Sequence, residues 1–209
     1  MTLIEESTHK KIANRLKPLS FKRSNGGSAG NALSCIAALG GDASFVGRIG
    51  ADENGAFYEA ESKQRGVKFI PLRDPSLPTG VANTFISDGG LRTFATYLGA
   101  AALLEAKHLD AAMPQDVDYV FIEGYLVQNH ELIERAVELS HQRGAKVCLD
   151  LASWNIVESE HAFFERLLPN IDIVFANEDE ARAMTGRIGE EAARLLAQTC
   201  QIAIVKCGP

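Results

Sequence analysis

From Asp118 to Lys206 the chain alternates short apolar runs with amphipathic stretches, and a chain with that rhythm folds as a parallel α/β sheet. Asp118-Tyr-Val-Phe-Ile-Glu-Gly-Tyr125 is a β-rich run ending at a glycine. Residues Asn129 to Arg143 carry Leu132/Ile133 and Ala136/Val137 one helical turn apart and stop at Gly144, the place of a left-handed helix C′ residue. The pattern then predicts a strand over Ala145–Leu151, a helix over Ser159–Leu168 stopped by Pro169, and a strand over Ile171–Ala176. It continues with helices over Glu178–Thr185 and Gly189–Gln201 and a last strand over Ile202–Lys206. Parallel sheets are covered on both faces and bind ligands beyond the carboxyl ends of their strands. In this chain those ends carry Glu123-Gly124, Asp150, Asn177-Glu178 and Cys207-Gly208.

The first half has a different texture. Ser24-Asn-Gly-Gly-Ser-Ala-Gly-Asn31 is a glycine-rich loop running into an apolar helix over Ala32–Leu39. A strand over Ala43–Ile49 and a helix over Glu53–Arg65 follow. The stretch from Val67 to Leu98 holds three of the seven prolines and short alternating segments. Its Asp88-Gly89-Gly90 turn, between Thr84-Phe-Ile86 and Arg92-Thr-Phe-Ala-Thr-Tyr97, signals a hairpin. This region reads as a small antiparallel β appendage on the α/β body.

Composition narrows the function. With 46% hydrophobic and 23% charged residues the chain is globular rather than disordered or collagen-like. A net charge of −6 gives no general attraction to nucleic acid or an anionic membrane surface. No run approaches the roughly 18 apolar residues of a membrane span. Met1 to Lys17 has charges throughout and lacks the apolar core of a targeting signal. Cys35, Cys148, Cys200 and Cys207 have no Cys-x-x-Cys spacing and read as small buried hydrophobes in a reducing, cytoplasmic setting.

Three places could carry chemistry. Gly26-Gly27 is either a tight turn into a helix or a loop whose backbone N–H groups approach a polar ligand, with Asn31 supplying an amide donor and acceptor suited to hydroxyls. Asn177 and Glu180, three apart at a strand end, are an N-cap with acids set against the helix dipole. They could also hold a hydrated Mg²⁺. Arg92 after the Gly-Gly turn is either a solvated hairpin arginine or an arm for an anionic group. The five histidines show no metal-ligand spacing, and Gly50-x-x-x-x-Gly55 is followed by Ala56, so it is no P-loop.

In order, these pieces resemble the ribokinase-like (PfkB) family of carbohydrate and nucleoside kinases, from about Thr2 to Gly208. Asn25-Gly-Gly-Ser-Ala-Gly-Asn31 is similar to the family's first signature. Ala37-Ala-Leu-Gly-Gly41, Phe45-Val-Gly-Arg-Ile-Gly50, Asp52-x-x-Gly55, Arg92-Thr-Phe-Ala-Thr-Tyr-Leu-Gly-Ala100 and Asn177-x-x-Glu180 follow in register, closest in texture to bacterial sugar and adenosine kinase-like members. The resemblance implies a Rossmann-like α/β body with a small β lid at about 17–25 and 67–98, all within one incomplete domain over 1–209. It implies ATP-dependent phosphorylation of a sugar or nucleoside hydroxyl with Mg²⁺. Gly26, Gly27, Asn31 and Arg92 inherit substrate contacts, Lys206 and Gly208 border the nucleotide, and Asn177 and Glu180 take the metal. A homodimer through the lid is a further implication; nucleic acid and membrane are not expected partners. The family's opening strand would precede Met1, and its Asp-Thr-x-Gly-Ala-Gly-Asp signature, with the anion hole and catalytic base, would follow Pro209. The expectation is a chain truncated at both ends and inactive alone. The rival expectation is a noncatalytic binding or structural subunit of the same fold. A dinucleotide-binding domain lacks its Gly-x-Gly-x-x-Gly.

Overall fold

The computed structural model describes residues 2–208. Its contacts divide the chain into a first unit up to Leu104 and a second from Glu105.

In the first unit, β1 (Thr2–Leu3) and α1 (Glu6–Leu16) lead through an irregular stretch to α2 (Ser28–Ala38), β2 (Ala43–Gly50), α3 (Glu53–Gln64) and β3 (Val67–Asp74). A hairpin of β4 (Val81–Ile86) and β5 (Arg92–Tyr97) follows, then a 3₁₀ turn over Gly99–Leu103. The antiparallel pairing of β4 and β5 across the Asp88-Gly89-Gly90 turn is as the sequence predicts, and β1 adds to β5 in parallel. Val67–Asp74 corrects the expectation of an antiparallel segment. It lies parallel to β2, with Val46 opposite Ile70 and Gly47 opposite Pro71. Proline survives there because β3 is an edge strand of a two-stranded sheet, where a missing N–H breaks no ladder bond. Phe45, Phe69 and Tyr58 cluster at centroid separations of 5.1–6.0 Å, and Gly47 leaves room for the two phenylalanine rings.

In the second unit, α4 (Ala106–Ala112) precedes four parallel strands in sequence order: β6 (Tyr119–Glu123), β7 (Lys146–Asp150), β8 (Ile173–Asn177) and β9 (Ile202–Lys206). The connections are α5 (His130–Gln142), then α6 (Trp154–Ser159) and α7 (His161–Leu167), then α8 (Glu178–Thr185) and α9 (Gly189–Leu196). Alternate strand residues Val120, Ile122, Val147, Leu149, Val174, Ala176, Ala203 and Val205 face one core with Ile133, Val137, Val157, Phe164, Ala181 and Leu196 of the helices. That period of two buries one face against the helical layer. On the other face Phe121 and Phe175 meet at 5.9 Å, while Tyr119, Ile202 and Ile204 are exposed.

Asn129 caps α5 by accepting from the Leu132 N–H, and Gly144 takes φ 71 after it, as the pattern implies. Two helix boundaries in this unit differ by more than two residues. The helix expected from Ser159 begins at Trp154 and breaks at Glu160, and Pro169 sits inside a closing 3₁₀ turn. The helix expected to reach Gln201 ends at Leu196. The cysteines also divide: Cys148 and Cys200 are buried, Cys35 and Cys207 exposed.

Candidate active site

In the first unit the glycine loop ends at α2. Gly27 is the helix N-cap and takes φ 91, ψ 142, a conformation nearly closed to residues with a side chain. Gly26 has open space where a Cβ would stand. Asn25 anchors the loop to α3: its N–H donates to Glu61 Oε2 at 2.8 Å, and its amide nitrogen donates to the Tyr58 carbonyl at 2.9 Å and Ser62 Oγ at 2.8 Å. A Cβ on Gly30 would come within 2.7 Å of the Tyr58 hydroxyl at the tip of its side chain, so α2 and α3 lie close here. Asn31 lies in the first turn of α2, its N–H bonded to the Gly27 carbonyl at 3.1 Å and its side chain exposed. Arg92 is the first residue of β5, opposite Ile86, and is exposed.

In the second unit the strand register collects polar groups at the carboxyl edge. Glu123 pairs with Asp150 and Asn177 with Lys206. Lys206 Nζ stands 3.6 Å from Asp150 Oδ2, and Asp150 Oδ1 accepts the Ala152 N–H at 2.9 Å. Ala152 takes φ 67 inside a tight turn in which the Ser153 N–H reaches the Leu151 carbonyl at 2.9 Å. Gly124 makes room for that turn, since a Cβ there would sit 2.1 Å from the Asp150 carbonyl oxygen.

Asn177 and Glu180 form a reciprocal capping box. Asn177 Oδ1 accepts the Glu180 N–H at 2.9 Å, while the Asn177 N–H and side-chain amide each donate to Glu180 at 2.7 Å, one to each carboxylate oxygen. Glu180 is 3% exposed. Burial raises its carboxyl pKa; the Asn177 N–H acts against that, Asp150 reinforces it and Lys206 opposes it. Among the described residues no three His, Cys, Asp or Glu side chains converge as metal ligands. With both oxygens of Glu180 engaged, the pair does not fit direct coordination of Mg²⁺. The exposed amide of Asn177 fits contact through a water of a hydrated ion.

The residues singled out from sequence therefore fall into two sets. Gly26, Gly27, Asn31 and Arg92 belong to the first unit, and Asn177, Glu180, Lys206 and Gly208 to the second. The anchoring by Asn25 and the Lys206–Asp150 pair depend on tertiary contacts 33 to 56 residues apart, and no local pattern announces them.

Comparison with known proteins bears on both sets at once. The pfkB family carbohydrate kinase domain matches residues 2–209. Adenosine kinase of Schizophyllum commune is 32% identical over 160 residues, covering 73% of this chain and 46% of that one. A "probable sugar kinase protein" from Rhizobium etli CFN 42 superposes with a TM-score of 0.89 at 29% identity, over 99% of this chain and 64% of its own. Adenosine kinase from Sinorhizobium meliloti gives 0.86 at 28% identity, over 100% and 65%. The chain thus spans under half the length of the curated adenosine kinase and just under two thirds of the two solved kinases. With the family's domain matched from end to end of the described residues, the chain belongs to the pfkB family of carbohydrate kinases.

Proposed function

We propose that these 209 residues carry the substrate-binding side, and part of the nucleotide border, of an ATP-dependent kinase that phosphorylates a hydroxyl of a sugar or nucleoside. The observation that carries this reading is the glycine loop. Gly27 at φ 91 turns the chain into α2, whose first turn carries Asn31 with an exposed side chain. Such a surface offers both donors and acceptors, as a polyhydroxyl ligand requires. Arg92 supplies a planar cationic fork for an anionic group on the same side of the reaction.

On the nucleotide side, Lys206 is more than half exposed and lies beside one carboxylate, so its ammonium can leave Asp150 for a phosphate at small cost. Gly208 follows in open space. Asn177 would hold a nucleotide-bound Mg²⁺ through a water, and Glu180 fixes the Asn177 side-chain amide by accepting from it at 2.7 Å. When bound, the ion neutralises charge on the transferring phosphoryl group. Transfer to a hydroxyl also needs a base for its proton and N–H donors for the developing charge. The motif that supplies both in this family, Asp-Thr-x-Gly-Ala-Gly-Asp, does not occur in these residues.

A cytoplasmic setting belongs to this reading and is supported by four free cysteines. So does pairing of two copies through the hairpin, whose outer strand β4 has an open edge and whose Ile86 and Leu91 are exposed. No helix among the described residues is long and apolar enough to cross a membrane.

A coupled ADP-release assay tests the division of labour. The 209 residues with ATP, Mg²⁺ and adenosine, ribose or fructose are expected to release no ADP above background. Magnesium-dependent turnover by them alone would contradict the proposal.

A further inference from the structure

Within the first unit the β4–β5 hairpin is entered through Pro78-Thr79-Gly80 and left through Leu98-Gly99-Ala100, two adjacent points. Both are locked. Asp52, the N-cap of α3, accepts the Gly55 N–H at 2.8 Å and turns its remaining capacity on Thr79. Oδ2 accepts the Thr79 N–H at 2.8 Å and Oδ1 accepts the Thr79 hydroxyl at 2.6 Å. The same hydroxyl accepts the Gly50 N–H at 3.0 Å, so one side chain, 6% exposed, ties the end of β2 to the start of α3 and to the hairpin root. On the return side the Ala100 N–H donates to the Pro78 carbonyl at 2.8 Å.

Backbone packing allows no slack. A Cβ on Gly50 would lie 2.5 Å from the Leu77 carbonyl oxygen, one on Gly80 2.6 Å from that of Leu98, and one on Gly99 2.2 Å from that of Pro78. Real Cβ atoms do not approach backbone so closely, so each of these glycines marks two chain segments pressed together. The far end of the hairpin is the opposite: Gly89 and Gly90 have open space around them, and Ile86 and Leu91 are 70% and 76% exposed. Helix capping alone needs only one acceptor on Asp52. The two bonds to Thr79, 27 residues away, serve the root.

We propose that Asp52 and Thr79 are positioning residues that fix the root of the β4–β5 hairpin and thereby set where its arm, with Arg92, is held. The consequence for substrate binding rests on the reading of Arg92 given above; the clamp does not. Thr79 is buried and the bonds of the clamp link elements, whereas the hairpin beyond it is held by its own ladder, by β1 and by α1, whose His9 ring stacks on Tyr97 at 4.7 Å. Loosening the clamp therefore frees the arm first.

Hydrogen exchange on the ligand-free chain tests this without reference to any activity. Losing a buried hydrogen bond of this kind corresponds to about tenfold in a local opening equilibrium. Asp52→Asn and Thr79→Val are expected to speed exchange of amides in residues 81–86 and 92–97 about tenfold, with amides of α5 and β7 unchanged. Thr79→Ser keeps the hydroxyl and should restore protection. Unchanged hairpin exchange in Thr79→Val overturns the proposal. So does equal loss of protection across β2, β3 and the hairpin, and so does a Thr79→Ser as fast as Thr79→Val. If Asp52→Asn does not fold, the Thr79 pair decides alone.

Discussion

The side-chain amide of Asn177 makes two of the three bonds that open α8, the third coming from its backbone N–H, and it is also the group proposed to face a hydrated ion. Asn177→Ala is expected to lower stability by about 1 kcal/mol, the usual worth of an N-cap, read as a fall in the urea midpoint at constant slope. Asp74 shows a different residue-scale effect. It is 2% exposed and is held by the Ser76 hydroxyl at 2.7 Å, by Arg48 at 2.6 Å and by the Leu77 and Ser76 N–H groups. These partners, the Ser76 hydroxyl first, hold its carboxyl far below the usual carboxylate range. A depressed folded value means its contribution is complete above the unfolded value of about 4 and is lost as pH falls through the folded one. The gap in thermal midpoint between the chain and Asp74→Asn should be constant from pH 7 to about 5 and close steadily below about 4. A gap that widens in acid would contradict this assignment. The three-residue spacing of Asn177 and Glu180 is legible in the sequence because a capping box is local. The pairing of Arg48 with Asp74 is not, since it follows from the register that sets Gly50 opposite Asp74 in β2 and β3.

Among the elements, those with a strong local signal are legible. Helix α5 has a capping Asn129, paired apolar residues and a closing glycine, and β6 to β9 are short apolar runs with turn residues between them. Helix α1 has no buried residue and no side-chain cap, so nothing in Glu6–Leu16 marks it as helix beyond its ordinary propensities. Strand β3 was obscured by Pro71 and by a partner, β2, that is parallel and reached only through α3. At the glycine loop the sequence left a turn and a ligand loop equally open, and φ 91 at Gly27 is a conformation that either would use. Gly27→Val forces a side chain into that conformation and should lower stability by about 1–3 kcal/mol. Thermal melts check this, and no loss would mean the loop relaxes without its glycine.

Across the whole molecule, the family is carried by the ordered set of motifs more than by any one of them. Each local pattern has an ordinary structural explanation, and several are realised here as caps and close packings. The ligand class rests on a smaller base: relatives that include both an adenosine kinase and a probable sugar kinase, and a loop whose chemistry suits hydroxyls of either. The residues proposed for substrate all lie before Leu104, those for nucleotide after it, and the charge of −6 favours neither phosphate nor acid in general. Whatever selectivity the site has is therefore local. The most direct measurement is calorimetric titration of the 209-residue chain with adenosine, ribose and fructose, alongside Gly27→Val shown to be folded at the same temperature. The account predicts saturable heat for at least one of the three and its loss in the variant. No heat with any of them, or equal heat in both chains, would contradict it and leave a scaffold in place of a binding site.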